Sequence, residues 1–131
     1  VIERWSIRFD EVWRNNDTTY SYLVGFHAGD VAVDRRKGYR HIVHSGSTSD
    51  NRENGVLLSS IEVLARKNQF LKKNGTGVYD SSMYSFFKEI RRKKNNLLRV
   101  KAIFHAAKYG CGWTAFRYFV FKKQSPPKSY R

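Results

Sequence analysis

The chain has 131 residues, 40% of them apolar and 15% aromatic, enough to build a hydrophobic core, so intrinsic disorder is excluded as its class. Lysine and arginine outnumber aspartate and glutamate by 25 to 11, a formal charge of +14. Such an excess points to a polyanionic partner, nucleic acid first, because phosphate binding releases condensed counterions. No apolar run approaches membrane-spanning length and no segment pairs a long apolar face with a basic one, which argues against a membrane partner.

The single cysteine, Cys111, allows no internal disulfide and no cysteine zinc cluster, as expected of an intracellular, reducing compartment. The length reads as one nucleic-acid-binding domain over 1–123, followed by a basic tail, 124–131, that contains Pro126-Pro127. The start at Val1 reads as that of a fragment or processed product, and the opening residues lack the layout of a signal peptide.

In chain order, Trp5, Ile7 and Phe9 alternate with polar residues, a strand signal. A polar turn over 14–17 leads to Thr18–Phe26, rich in Thr, Tyr, Leu and Val, so the two segments read as a β-hairpin. After the basic turn Asp34-Arg35-Arg36-Lys37-Gly38, a third strand is expected over Tyr39–Ser45. A polar loop, 47–55, precedes a helical face of Leu57, Leu58, Ile61, Leu64 and Ala65, weakened by Ser59, Ser60 and Asn68 and ended by Gly75 and Gly77. Asp80-Ser81-Ser82 offers cap oxygens for a second helix, on which Met83, Phe86, Phe87 and Ile90 recur at i, i+3, i+4 and i+7. Its last turn, Arg91-Arg92-Lys93-Lys94, suits the negative end of a helix dipole. Leu97–Tyr109 fits helix or strand, and Trp113–Phe121, after the Gly110-Cys111-Gly112 turn, fits a final strand or a buried helix. This order predicts an α+β fold, an antiparallel sheet covered by helices.

Two of the four histidines, His41 and His44, fall in the third predicted strand. Gly38-Tyr39-Arg40-His41-Ile42-Val43-His44 resembles the metal strand of the histidine-hydrophobe-histidine nickases, particularly the origin-nicking domain of parvovirus and densovirus large non-structural proteins. Tyr118-Phe119-Val120-Phe121-Lys122-Lys123-Gln124-Ser125-Pro126 is similar to that family's tyrosine motif. The resemblance implies a metal-dependent, site-specific nicking enzyme of viral replication, acting in the nucleus of an infected cell. His41 would hold a divalent metal, Mg²⁺ or Mn²⁺, and Tyr118 would attack the scissile phosphate to leave a phosphotyrosine and a free 3′ hydroxyl. Lys122, four residues on, would lower the tyrosine pKa or offset developing charge. The family spaces its histidines at i and i+2, whereas His41 and His44 are three apart, which sends them to opposite strand faces. A bulge that restores His44, or His27 from a neighbouring strand, would supply the second ligand.

Ser21-Tyr22-Leu23-Val24-Gly25-Phe26-His27-Ala28-Gly29-Asp30 looks like the LAGLIDADG motif of homing endonucleases. In that family the motif helix packs against its partner through small residues and a terminal acid binds the catalytic metal, a role that would fall to Asp30. Ala28 stands where a further acid is expected, and Val31-Ala32 replaces the usual Gly-Ser.

A third reading needs no catalysis. Arg35-Arg36-Lys37 with Arg40, Lys72-Lys73, Arg91-Arg92-Lys93-Lys94 and Lys122-Lys123, interleaved with aromatics, suit phosphate contact and base stacking on DNA, or on RNA as in a ribosomal protein. Neither a phosphate-cradling P-loop nor a dinucleotide fingerprint is present, and Cys111 beside His105 is the remaining nucleophile candidate.

Overall fold

The computed structural model describes residues 1–11, 15–30, 32, 36 and 53–121. The chain divides into two compact units, Val1–Asn51 and Arg52–Arg131, taken separately below.

In the first unit, α1 (Asn16–His27) follows Asn15, whose backbone is left-handed at φ 60°. The preceding segment makes a turn, with the Trp5 and Ile7 N–H groups donating to Val1 and Ile2 carbonyls, and then runs extended. Its rings rest on the helix: Trp5 stacks on His27 with centroids 4.0 Å apart, and Phe9 on Tyr20 at 4.3 Å. Thr19, the buried residue of α1, donates its hydroxyl to Asp10, and the Asp10 N–H donates to the Asn16 carbonyl.

The second unit is a four-helix cluster: α2 (Asn54–Lys73), α3 (Met83–Arg92), α4 (Asn96–Ala107) and α5 (Gly112–Phe121). α2 packs on α3 and α4, and α4 on α5, with α3 touching both later helices. Leu57, Ile61 and Leu64 of α2 meet Met83, Phe87 and Ile90 of α3 in the core, each such burial contributing about 1.5–3 kcal/mol. From α4 and α5 the core takes mostly small residues, Ala102, Ala106 and Ala115, with Leu98 and Tyr118. Small side chains let these helices approach closely.

The polar residues that interrupt α2 are all provided for. Ser59 and Ser60 donate to the Val56 carbonyl, at 3.0 and 2.8 Å. Buried Asn68 binds the backbone of Asp80 twice, accepting from its N–H at 2.8 Å and donating to its carbonyl at 3.1 Å, which ties the α2–α3 connector down. α2 ends in a Schellman motif: the Thr76 N–H reaches the Leu71 carbonyl and the Gly75 N–H the Lys72 carbonyl, with Gly75 at φ +62°. α4 ends the same way, Cys111 and Gly110 donating to Ala106 and Ala107, with Gly110 at φ +75°. Asp80 caps the approach to α3 by accepting from the Ser82 N–H at 2.8 Å, and Asn95 caps α4 by accepting from the Leu98 N–H at 3.0 Å.

These observations correct the predicted fold. Among the described residues there are five helices and no strand, so the α+β sheet covered by helices is replaced by a helical structure. Thr18–Phe26 has strand-like composition, yet it lies within α1, and its exposed residues, Ser21, Gly25 and Phe26, recur at helical spacing. Trp5, in the turn over 2–6, and Phe9, beyond it, both stack on α1, and neither lies in a strand. The two undecided segments, 97–109 and 113–121, fall in the helices α4 and α5, and the two expected helices are present as α2 and α3, α2 starting at Asn54 inside the expected loop and running on to Lys73. The predicted strand Tyr39–Ser45 and the tail 124–131 lie outside the described residues.

Candidate nucleic-acid interface

In the first unit the Ser21–Asp30 motif is helical up to His27 and then leaves the helix, so that Asp30 stands exposed just beyond its C-terminus. Ser21 and Gly25, one turn apart, are exposed on it. A Cβ built on Gly25 would meet nothing within 4 Å, so no packing inside the chain requires glycine there. Mid-helix glycine costs about 0.5–1 kcal/mol relative to alanine.

His27, a candidate metal ligand, is engaged by Trp5 through stacking and by Phe26 edge-on at 5.2 Å. Among the described residues no group of three or more His, Cys, Asp or Glu side chains could hold a metal ion. The Asp30 carboxylate is the hard oxygen donor that Mg²⁺ or Mn²⁺ prefers, and it stands just beyond the end of α1. His41, His44, Arg35, Lys37, Arg40, Lys122 and Lys123 lie outside the described residues, and Arg36 is exposed.

In the second unit the basic clusters sit at the two ends of α4. At its start, the Arg99 guanidinium donates to the Arg91 carbonyl at 3.1 Å and to Asn96 Oδ1 at 3.0 Å, which draws Arg99 into the Arg91-Arg92-Lys93-Lys94 corner. Lys94 closes α3 in the left-handed region at φ 52°, and Arg92 pairs with Glu89 at 3.5 Å. At the far end, Lys72 and Lys73, in the last turn of α2, line a cleft of about 940 Å³ together with Tyr79, Tyr109, Gly110 and Cys111. The 12 residues of α4 separate the two clusters by about 18 Å at a rise of about 1.5 Å per residue. That span is a few nucleotides long.

Tyr118, the candidate nucleophile, is 5% exposed and part of the core. Its ring sits 5.4 Å from Phe87 and 5.7 Å from Tyr84, with the Arg91 guanidinium 5.9 Å from its centroid. Cys111 and His105 do not form a pair: the Cys111 thiol faces the Ala65 carbonyl at 3.8 Å, and His105 Nδ1 lies 2.6 Å from Glu62 Oε2. Burial pushes the Cys111 thiol up, with Lys72 opposing. It is therefore held as the thiol, a poor nucleophile.

A polar cluster on α2 and α4 was not legible from spacing. Glu62 accepts from Tyr109 at 3.3 Å and has Lys108 at 3.6 Å in addition to His105, contacts across more than 40 residues of sequence. Burial raises the Glu62 carboxyl, but His105 and Lys108 outweigh it and leave it below its ordinary value. Nearby, burial drives the Tyr79 phenol up, with Tyr84 and Cys111 adding to the shift. The Tyr79 hydroxyl is buried beside Thr114 and Tyr84.

Comparison with protein-family models, with curated proteins and with solved structures found no match for this chain. No helix among the described residues is long and apolar enough to cross a membrane.

Proposed function

We propose that this protein is a basic DNA-binding endonuclease similar to the LAGLIDADG homing enzymes, with Asp30 as the carboxylate that serves the cleavage chemistry. One observation carries the reading: the motif residues form a helix that stops just short of an exposed Asp30, with an unoccupied glycine face at Gly25. Two copies of α1 packed through Ser21 and Gly25 would bring two Asp30 carboxylates together as a paired donor set. A divalent cation bound there would polarise the scissile phosphate and activate water. The net charge of +14 supplies the sequence-independent hold on phosphate.

The test is cleavage of a randomised duplex DNA library by the full chain in Mn²⁺, with sequencing of the cut ends. Asp30→Asn should abolish cleavage while DNA affinity stays within about twofold, since one exposed charge out of many changes binding little. A covalent protein–DNA adduct lost in Tyr118→Phe would replace this reading with the tyrosine nickase. Binding with no cleavage of any library member would leave a non-catalytic DNA- or RNA-binding protein.

A further inference from the structure

The outer surfaces of α4 and α5 carry large apolar side chains that the core does not use. Phe104 is 68% exposed, Trp113 65% and Leu97 64%, and Val100, Phe116 and Phe121 are exposed as well. Single exposed apolar residues need no explanation, whereas a set on two adjacent helices marks an interaction surface. The set is organised by the α4–α5 junction. Gly112 lies so close to Ala107 that an added Cβ would come within 2.7 Å of the alanine Cβ. Phe104, three residues before Ala107, and Phe116, four after Gly112, therefore fall on the helix rows that flank this seam. Trp113 stacks on Phe116, centroids 5.6 Å apart and planes 18° apart, and Phe121 meets Phe116 edge-on.

The two helices carry charge of one sign, and the carboxylate that reaches α4, Glu62 of α2, is already engaged by His105 and Lys108. Residues 90–131 contain twelve lysines and arginines and no aspartate or glutamate, so neither α4 nor α5 carries a carboxylate. Lys101 and Arg117 are exposed on the two helices and make no ion pair with any described residue. An occupant of this face must offer flat apolar surface and negative charge together. A second copy does not, because the same face turned on itself would oppose like charges with no acid to relieve them. A duplex hides the faces of its bases. A single strand presents both.

We propose that the α4–α5 face binds single-stranded nucleic acid, with unstacked bases lying on Phe104, Trp113 and Phe116 and phosphates meeting Lys101 and Arg117. This activity uses no residue of α1 and stands whether or not Asp30 serves cleavage. The experiment is fluorescence anisotropy of the full chain with dye-labelled oligo(dT), and with oligo(U) in a second arm to show which sugar is preferred. Trp113→Ala and Phe104→Ala should each weaken binding by about tenfold, the loss of one stacked base, and leave affinity for a blunt duplex within about twofold. Lys101→Ala combined with Arg117→Ala should reduce the salt dependence of oligonucleotide binding by a slope of about 1.4, two phosphate contacts at about 0.7 each. All four side chains are exposed, so circular dichroism should show folded variants. The inference is overturned if the ring variants bind both oligonucleotides as tightly as the parent. It is equally overturned if they lose affinity for phosphatidylserine vesicles, or dissociate a dimer, while oligonucleotide binding is unchanged.

Discussion

Replacing Gly112 by alanine tests the α4–α5 seam directly. Glycine to alanine inside a helix ordinarily stabilises by up to about 1 kcal/mol, because alanine has less backbone entropy to lose. Here the new Cβ would sit 2.7 Å from the Ala107 Cβ and 3.0 Å from its Cα, closer than carbon atoms approach without displacement. The obstacle is backbone and a methyl fixed to it, with no flexible side-chain end that could swing away. Overpacking of this kind costs about 1–3 kcal/mol, so Gly112→Ala should be net destabilising by about 1–2 kcal/mol despite its better propensity. Ala107→Gly alone should cost about 1 kcal/mol or less, since it stands in the last turn of α4. In the double variant the methyl clash is gone and only the tight Cα approach remains, so the two costs should fall short of additivity by about 1 kcal/mol or more. Urea unfolding followed at 222 nm, with constant m-values, measures all four corners of the cycle. A Gly112→Ala variant as stable as the parent, or strictly additive costs, would refute the close approach of these helices.

Asn68→Ala strips the α2–α3 connector of both hydrogen bonds to the Asp80 backbone and should cost about 2–4 kcal/mol in urea unfolding; a loss under about 0.5 kcal/mol would mean that the connector is held by other contacts. Acid should destabilise the second unit. Burial raises both the Glu62 and the Asp80 carboxyls, yet His105 and Lys108 beside Glu62, and Lys67 and Ser82 beside Asp80, leave both below their ordinary values of 4.5 and 3.8. Carboxyls depressed in the folded chain contribute stability that is complete above those values and is lost as the pH falls below them and through the lower folded-state values. Urea midpoints should therefore drop between about pH 5 and pH 3, and Asp80→Asn should flatten part of the drop; a midpoint independent of pH there would contradict the geometry. Tyr118→Ala should cost about 3–5 kcal/mol as a core aromatic, whereas Tyr118→Phe, which keeps the ring against Phe87, should stay within about 1 kcal/mol of the parent. A large loss in the phenylalanine variant would show that the hydroxyl is structural.

The parts of the fold legible in the sequence are those in which one helix carries its own amphipathic signature. Met83, Phe86, Phe87 and Ile90 are all buried at the spacing that marks them, and Gly75 and Gly77 stop α2 with positive φ where turn chemistry says they should. α4 and α5 were undecided because their core positions are mostly alanine, while the conspicuous residues, Phe104 and Trp113, face outward. A reader who weights size sees the wrong periodicity. α1 misled for a related reason: its Thr, Tyr and Val suit a pleated surface, and its helical state shows in the stacking of Trp5 on His27 and Phe9 on Tyr20, contacts that no local window contains. The Glu62–His105–Tyr109 cluster was invisible for the same cause, since its members come from two helices more than 40 residues apart.

Charge, unlike periodicity, is readable throughout, and it is distributed unevenly along the chain. Of the net +14, residues 90–131 hold +12, with no acid among them, which leaves thirteen basic residues against eleven acids over 1–89. All eleven carboxylates, Asp30 included, thus fall within residues 1–89, and the charged side chains of α4 and α5 are all basic. A metal-binding carboxylate placed within the basic segment would be drawn into ion pairs with the many lysines and arginines there, and each such pair would cancel a phosphate contact. The separation has a measurable consequence: Asp30→Asn should change cleavage with almost no change in salt dependence, and Lys101→Ala with Arg117→Ala should do the reverse.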